Sequence, residues 1–303
     1  MHQPKPTRRS ILRLAGIAAG TSATAACTGP ASPDSPAPTP SATRTALSSA
    51  KATASQAPAD DVVTRTGEFT SAFRPGGPTR WSLVTPAPLP DPQDKELPLP
   101  VAVFLHGTGS SSDVLVQDLA ADTALQRHLG GGGARFAVAA VDGGDSWWHA
   151  RTDGTDTQSM LVEEFVPMLG DQGFDLGRIG IFGLSMGGFG ALLLASQARL
   201  PGVRAVAAMS PALAPTYEAV LDGAFDSRAD FDANDVFGLR PRLAALPKRI
   251  DCGTADDLAA GVRQYRSDLP GDVEGGYQPG GHNSDYWKSV LPDVLGFLGD
   301  NLA

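Results

Sequence analysis

Cysteine is nearly missing from these 303 residues. Cys27 and Cys252 are the only two, and Cys252 stands alone in the part of the chain able to fold, so no internal disulfide holds that part together. Basic charge is also scarce, with 24 Lys and Arg against 33 Asp and Glu and a formal net charge of -9. Four of the cations, Lys5, Arg8, Arg9 and Arg13, crowd into residues 1–26, which contain no acid; without that segment the net charge falls to -13. Such a balance excludes nucleic acid as a partner. Metal-ligand patterns are lacking too. Asp142, Asp145, Asp153 and Asp156 are scattered acids without calcium-loop spacing or a paired-histidine motif, and read as solvated loop residues, so no metal site is expected. The apolar stretch Ile11 to Ala19 falls short of the about 20 residues a membrane span needs.

The first 26 residues have a basic start, that short apolar stretch and then small residues, the composition of an export signal. Thr7-Arg8-Arg9-Ser10-Ile11-Leu12-Arg13 resembles the twin-arginine type. Thr24-Ala25-Ala26-Cys27 resembles the box at which bacterial lipoproteins are cleaved and lipidated, with Thr24 where leucine is usual. Two fates are therefore open to Cys27: lipidation and anchoring to a membrane, or plain cleavage after Ala23-Thr24-Ala25 that releases a soluble product with Cys27 lost or left on a floppy tail. Both lead to an extracellular or cell-surface location. From Thr28 to about Ala59, Pro, Ser, Thr and Ala dominate and little can form a core, as in a disordered spacer. The predicted organisation is a signal over 1–26, a linker over 27–60 and one folded domain over 61–303.

Within 61–303 apolar runs alternate with helical patterns, which predicts an α/β fold on a mostly parallel sheet. Val62 to Thr70 and Arg80 to Val84 read as antiparallel edge strands. Val101 to Leu105, Phe136 to Val141, Ile179 to Phe182 and Val203 to Met209 read as buried strands, and Arg249 to Cys252 and Val273 to Gln278 complete the sheet. Helices are expected near Val114 to Leu129, Thr157 to Leu169, Gly188 to Arg199, Asp257 to Asp268 and Ser284 to Leu298, with Gly130 to Gly133 as a helix stop. Cys252, inside an apolar strand, reads as packing rather than as a nucleophile.

Against that pattern one stretch stands out. In Ile179-Gly180-Ile181-Phe182-Gly183-Leu184-Ser185-Met186-Gly187-Gly188 an apolar strand meets a helix-forming run, with a serine at the corner and glycines two residues to either side. This is a nucleophile elbow, in which a sharp turn exposes the serine hydroxyl. A hydroxyl needs a base, and the base needs a carboxylate to orient it. His282 follows the last strand, where this architecture places its base. The loop Asp251-Cys252-Gly253-Thr254-Ala255-Asp256-Asp257 follows the strand before it; Asp256 is the expected acid and Asp257 a helix N-cap. An oxyanion needs two amide donors: Met186, which opens the helix, and Thr108 in Leu105-His106-Gly107-Thr108-Gly109, with Gly109 close behind.

Through these motifs, Leu105-His106-Gly107-Thr108-Gly109, Gly183-Leu184-Ser185-Met186-Gly187-Gly188, Asp251 to Asp256 and Gly281-His282-Asn283, nearly all of residues 61–303 resembles the esterase family of α/β-hydrolases that includes esterase D type enzymes and mycolyltransferases. The resemblance implies an α/β-hydrolase fold, a serine esterase acting through an acyl-enzyme with Ser185 as nucleophile, Asp256 as acid and His282 as base, and no cofactor. Asn283 stands where family members often have aspartate. The substrate would be a small-molecule or cell-envelope ester. Acyl transfer to a sugar or alcohol, and a surface-tethered binding protein without turnover, are the alternatives. Trp147 and Trp148 are candidate pocket residues. Residues 211 to 248 are a candidate lid, with Tyr217, Phe225, Phe231 and Phe237 expected to form its own small core.

Overall fold

The computed structural model describes residues 61–93 and 98–303; the expected signal over 1–26 and the whole expected linker over 27–60, with Cys27, lie outside the described residues. In chain order the elements are strands β1 (Val62–Phe69), β2 (Thr79–Pro86) and β3 (Leu99–Leu105), helices α1 (Val114–Gln117) and α2 (Ala121–Gly130), strand β4 (Ala137–Val141), helices α3 (Thr157–Ser159) and α4 (Val166–Asp171), strand β5 (Phe174–Leu184), helix α5 (Met186–Gln197), strand β6 (Val203–Met209), helices α6 (Arg228–Ala233) and α7 (Val236–Leu239), strand β7 (Lys248–Gly253), helix α8 (Ala259–Ser267), strand β8 (Tyr277–Gln278) and helix α9 (Ser284–Leu302). They build one mixed sheet in the order β1-β2-β4-β3-β5-β6-β7-β8. The β1–β2 and β2–β4 pairings are antiparallel and every later pairing is parallel.

Side chains alternate across a strand, so each inner strand feeds two cores. Val101, Val103 and Leu105 of β3, with Ile179 and Ile181 of β5, face a cluster completed by α4, α5 and α8. Ala102, Phe104, Phe182 and Leu184 face the opposite cluster, built on α2 and α9. This explains the near-continuous apolar runs of those strands: both faces are covered. α5 is apolar nearly all round because it lies against the sheet and is roofed in turn by the chain between β6 and β7.

Several expectations change. β2 is not an edge strand, since it pairs with both β1 and β4. The expected helix over Val114 to Leu129 is two, broken where Ala120 adopts a left-handed φ of 51°. The expected helix over Thr157 to Leu169 is one continuous helical run, with a wider π turn over Met160–Phe165 between α3 and α4. The last strand shrinks to Tyr277–Gln278, while Glu274 makes only a single bridge to Arg249. Asp257 does not cap α8; that helix starts at Ala259, and the nearby Leu258 amide donates to Asp256 Oδ1 at 2.8 Å. Asp142 is buried rather than solvated, and accepts from the Ser112 amide at 2.6 Å.

The small core expected in the roof between β6 and β7 is present in part, in Tyr217, Phe225 and Phe231, but is continuous with the rest of the fold. Phe225 stacks on His149 with ring centres 5.2 Å apart, and Phe237 meets Tyr265 of α8 at 5.2 Å. Phe231 joins this aromatic chain through Phe225 and Tyr217. Arg151 ties the roof down by donating to the carbonyls of Ala224 and Gly223 and to Asp226. His149 Nε2 lies 3.0 Å from the same Ala224 carbonyl.

Leu298 of α9 is fully buried where the sheet comes closest: a Cβ placed on Gly180 would lie 2.9 Å from its Cδ2. Truncation by Leu298→Ala should cost about 2 to 5 kcal/mol in urea unfolding, with little change in the slope of the transition.

Candidate active site

The corner between β5 and α5 is set by backbone contact. A Cβ on Gly187 would overlap the Leu105 carbonyl of the neighbouring strand, and one on Gly183 would overlap the Gly187 carbonyl. Only glycine fits at either position, and together they let the chain reverse within one residue. That residue is Ser185, with φ 52° and ψ -119°, a conformation costing about 1 to 3 kcal/mol for a side-chain-bearing residue. The surroundings hold it there: the Ser185 amide donates to the Met209 carbonyl at 3.0 Å, and its carbonyl accepts from Phe189 at 3.1 Å and Ala212 at 3.0 Å.

His282 Nε2 lies 2.9 Å from Ser185 Oγ, and His282 Nδ1 lies 2.9 Å from Asp256 Oδ2. The carboxylate can only accept, so the ring proton sits on Nδ1, which leaves Nε2 free to accept the serine proton. Three residues spread over 97 positions thus form one hydrogen-bonded chain. Asp256 is fully buried at its side chain whereas His282 is about one-third exposed, so the far end of the chain is shielded and the near end meets solvent.

The loops carrying these groups are fixed by the end of the sheet. The Thr254 amide donates to the Gln278 carbonyl at 2.8 Å and the Ala255 amide to the Gly280 carbonyl at 2.9 Å, joining the acid's loop to the histidine's. Asn283 caps α9 by accepting from the Tyr286 amide at 3.0 Å, a role that aspartate would also fill. The Trp287 ring meets His282 edge-on at 5.0 Å.

Of the two amides expected at the oxyanion position, Met186 opens α5, where the first N–H groups of a helix have no partner within it. Gly107 lies against the serine: a Cβ placed on it would be 3.4 Å from Ser185 Cβ. The Gly109 amide is taken by Asp145 Oδ1 at 2.6 Å, which leaves Thr108 as the amide beside Gly107.

Sequence reading missed His106. Its Nε2 accepts from the Gly143 amide at 2.9 Å, which puts the ring proton on Nδ1, where it is donated to the Gly107 carbonyl at 2.8 Å. The Thr108 N–H belongs to that same planar peptide and points opposite its carbonyl. His106 therefore orients the amide beside the serine. The only sequence signal was a histidine at a strand end before glycine, which does not say that its ring turns back on its own loop.

Trp148 is fully buried and donates its indole N–H to the His106 carbonyl at 3.1 Å, so it braces this loop from the core and does not meet a ligand. Trp147 lines a cleft with Phe189. Cys252 is buried, and burial together with the nearby Asp256 pushes its thiol up to about 12, which makes it inert at neutral pH. Among the described residues no group of three or more His, Cys, Asp or Glu is placed to hold a metal ion, and no helix is long and apolar enough to cross a membrane.

A strand-turn-helix corner with an exposed serine, on a sheet of this order, defines an α/β-hydrolase. Solved structures of that fold are similar along most of their length. A ferulic acid esterase shares 21% identity with TM-score 0.66, covering 80% of this chain and 99% of its own. An S-formylglutathione hydrolase from Agrobacterium tumefaciens shares 18% with TM-score 0.63, covering 82% and 99%. The fluorophosphonate-binding serine hydrolase F of Staphylococcus aureus shares 18% with TM-score 0.61, covering 78% and 98%. No curated protein matches the sequence. Residues 86–298 match the family described as "Putative esterase", and the chain belongs to that family.

Burial of His106 lowers its pKa below the ordinary 6.5. The unfolded chain then takes up that proton first as pH falls, so stability that is complete above about pH 6.5 is lost as pH drops towards the lowered folded value. Thermal melts of His106→Gln against the intact protein should show a shallower fall of Tm below about pH 6.5, and parallel curves above it.

Proposed function

We propose that this protein is an exported serine esterase working through an acyl-enzyme. The observation that carries the reading is the unbroken hydrogen-bonded path from Ser185 Oγ through His282 to Asp256, with both contacts at 2.9 Å. As Ser185 Oγ attacks the ester carbon, its proton passes to His282 Nε2 and the carbonyl oxygen becomes an oxyanion between the Thr108 and Met186 amides. Each such donor is worth about 3 kcal/mol to the transition state. Collapse breaks the carbon–oxygen bond of the leaving alcohol, which takes the proton from His282. Water then attacks the acyl-enzyme, gives a proton to His282, and the acid leaves as that proton returns to Ser185 Oγ. Asp256 stays ionised throughout and stabilises the imidazolium.

Membership of the esterase family supports the class of reaction. The export reading rests on Arg8 and Arg9 and on the composition of residues 1–60.

Two experiments test the proposal. A fluorophosphonate should label the intact protein and leave Ser185→Ala unlabelled, while Ser185→Ala and His282→Ala should each lower kcat for a p-nitrophenyl ester by about 10⁴-fold or more. Equal labelling of Ser185→Ala would point to another nucleophile. In a bacterial host with twin-arginine export, the Arg8→Lys/Arg9→Lys double variant should accumulate inside the cell, as read by fractionation; unchanged export would remove that route.

A further inference from the structure

His282 is carried on the chain between β8 and α9, which is fastened by side chains as well as by its backbone. The Tyr286 hydroxyl donates to Gln278 Oε1 at 2.7 Å, so a side-chain bond closes the segment from Gln278 to Tyr286. His282 is the middle residue of that segment, with Gln278 four positions before it and Tyr286 four after. Within it Gly280 lies against the Tyr286 ring, which a Cβ at that position would overlap.

This clasp is anchored in the sheet. Gln278 Nε2 donates to Asp251 Oδ1 at 3.1 Å, and Asp251 is fully buried on β7. Arg249 holds the same carboxylate, with Nε 2.7 Å from Oδ2 and Nη2 3.1 Å from Oδ1, and the Gly276 amide donates to Oδ1 at 3.3 Å. The Gln278 carbonyl accepts the amide of Thr254, which precedes Asp256 by two residues. One residue thus touches the strand that leads to Asp256, the Asp256 loop itself and the helix that follows His282.

The chemistry of the amide matches its place. A carboxylate only accepts, so the NH₂ end faces Asp251 and the oxygen is left for a donor. Burial, with Asp251 nearby, raises the Tyr286 pKa above the ordinary 10, so the phenol keeps its proton and is that donor. Glutamate at 278 would set two carboxylates against each other. Methionine would keep the length and lose both bonds.

We propose that Gln278 is a positioning residue of the esterase: with Tyr286 it forms a clasp that holds His282 at hydrogen-bonding distance from both Asp256 and Ser185. It touches no reacting atom. The proposal rests on the serine-esterase reading above for turnover, while the His282–Asp256 contact is a property of the folded chain and is read without substrate.

Gln278→Met, Gln278→Glu and Tyr286→Phe test it. Arg249 stays paired with Asp251 in each, which avoids the cost of an orphaned buried charge. Tyr286→Phe removes a single hydroxyl and should fold even where the others do not. With a p-nitrophenyl ester, Gln278→Met should lower kcat by about 10- to 100-fold and leave KM within about twofold, and the rate of fluorophosphonate labelling should fall with kcat. Gln278→Glu should be no better. Tyr286→Phe should lower kcat by about threefold to tenfold, and adding it to Gln278→Met should cost nothing further, because both cut the same link. In the proton spectrum, the far-downfield signal that His282→Ala abolishes, from the Nδ1 proton shared with Asp256, should broaden or vanish in Gln278→Met through faster exchange with water. Hydrolysis that depends on Ser185 but keeps its kcat in Gln278→Met and Tyr286→Phe, or shows only a raised KM, would overturn the clasp and leave the esterase standing. If the intact protein neither cleaves esters nor takes the label, the esterase reading fails and the proton spectrum decides. A signal lost in Gln278→Met then supports the clasp, whereas one unchanged by that substitution, or absent from the intact protein, overturns it.

Discussion

The structure depends on how closely β5, α5 and β3 approach one another at the elbow. Gly187 presses on the Leu105 carbonyl and Gly183 on Gly187, with no room for a side chain at either place. That contact forces Ser185 into a strained turn, aims its hydroxyl away from the sheet and begins α5 with its free amides beside the serine. It also brings the end of β3, with Gly107, against Ser185. The remaining site residues are placed relative to this one point. Asp256 and His282 reach it on loops after β7 and β8, which are tied to each other by backbone hydrogen bonds.

Much of this was legible in the sequence because each signal was local. The elbow announces itself through glycines at fixed offsets from a serine, between an apolar strand and a helix. Asp256 and His282 follow from chain order once the sheet is read as parallel, and the structure places both within hydrogen-bonding reach of their expected partners. The inner strands were readable from apolar runs that only burial on both faces explains.

What escaped was decided by distant contacts. Nothing near Ala120 marks it as the left-handed break between α1 and α2. β2 reads like an edge strand by position, yet it is inserted between β1 and β4 by a pairing far along the chain. Tyr217, Phe225 and Phe231 of the roof pack on one another as expected, but Phe225 and Phe237 also lean on His149 and Tyr265, in segments on either side of it. His106 and Trp148 were ambiguous because a histidine or tryptophan near a strand end serves equally as a brace or as a ligand contact. Only the direction of their hydrogen bonds decides between those roles.

The bond from the Ala212 amide to the Ser185 carbonyl has a mechanical meaning. Ala212 stands at the start of the roof, so the cover of the cleft and the turn at Ser185 share a single strut. The first residues of the roof are in this way anchored to the same backbone turn that presents the hydroxyl.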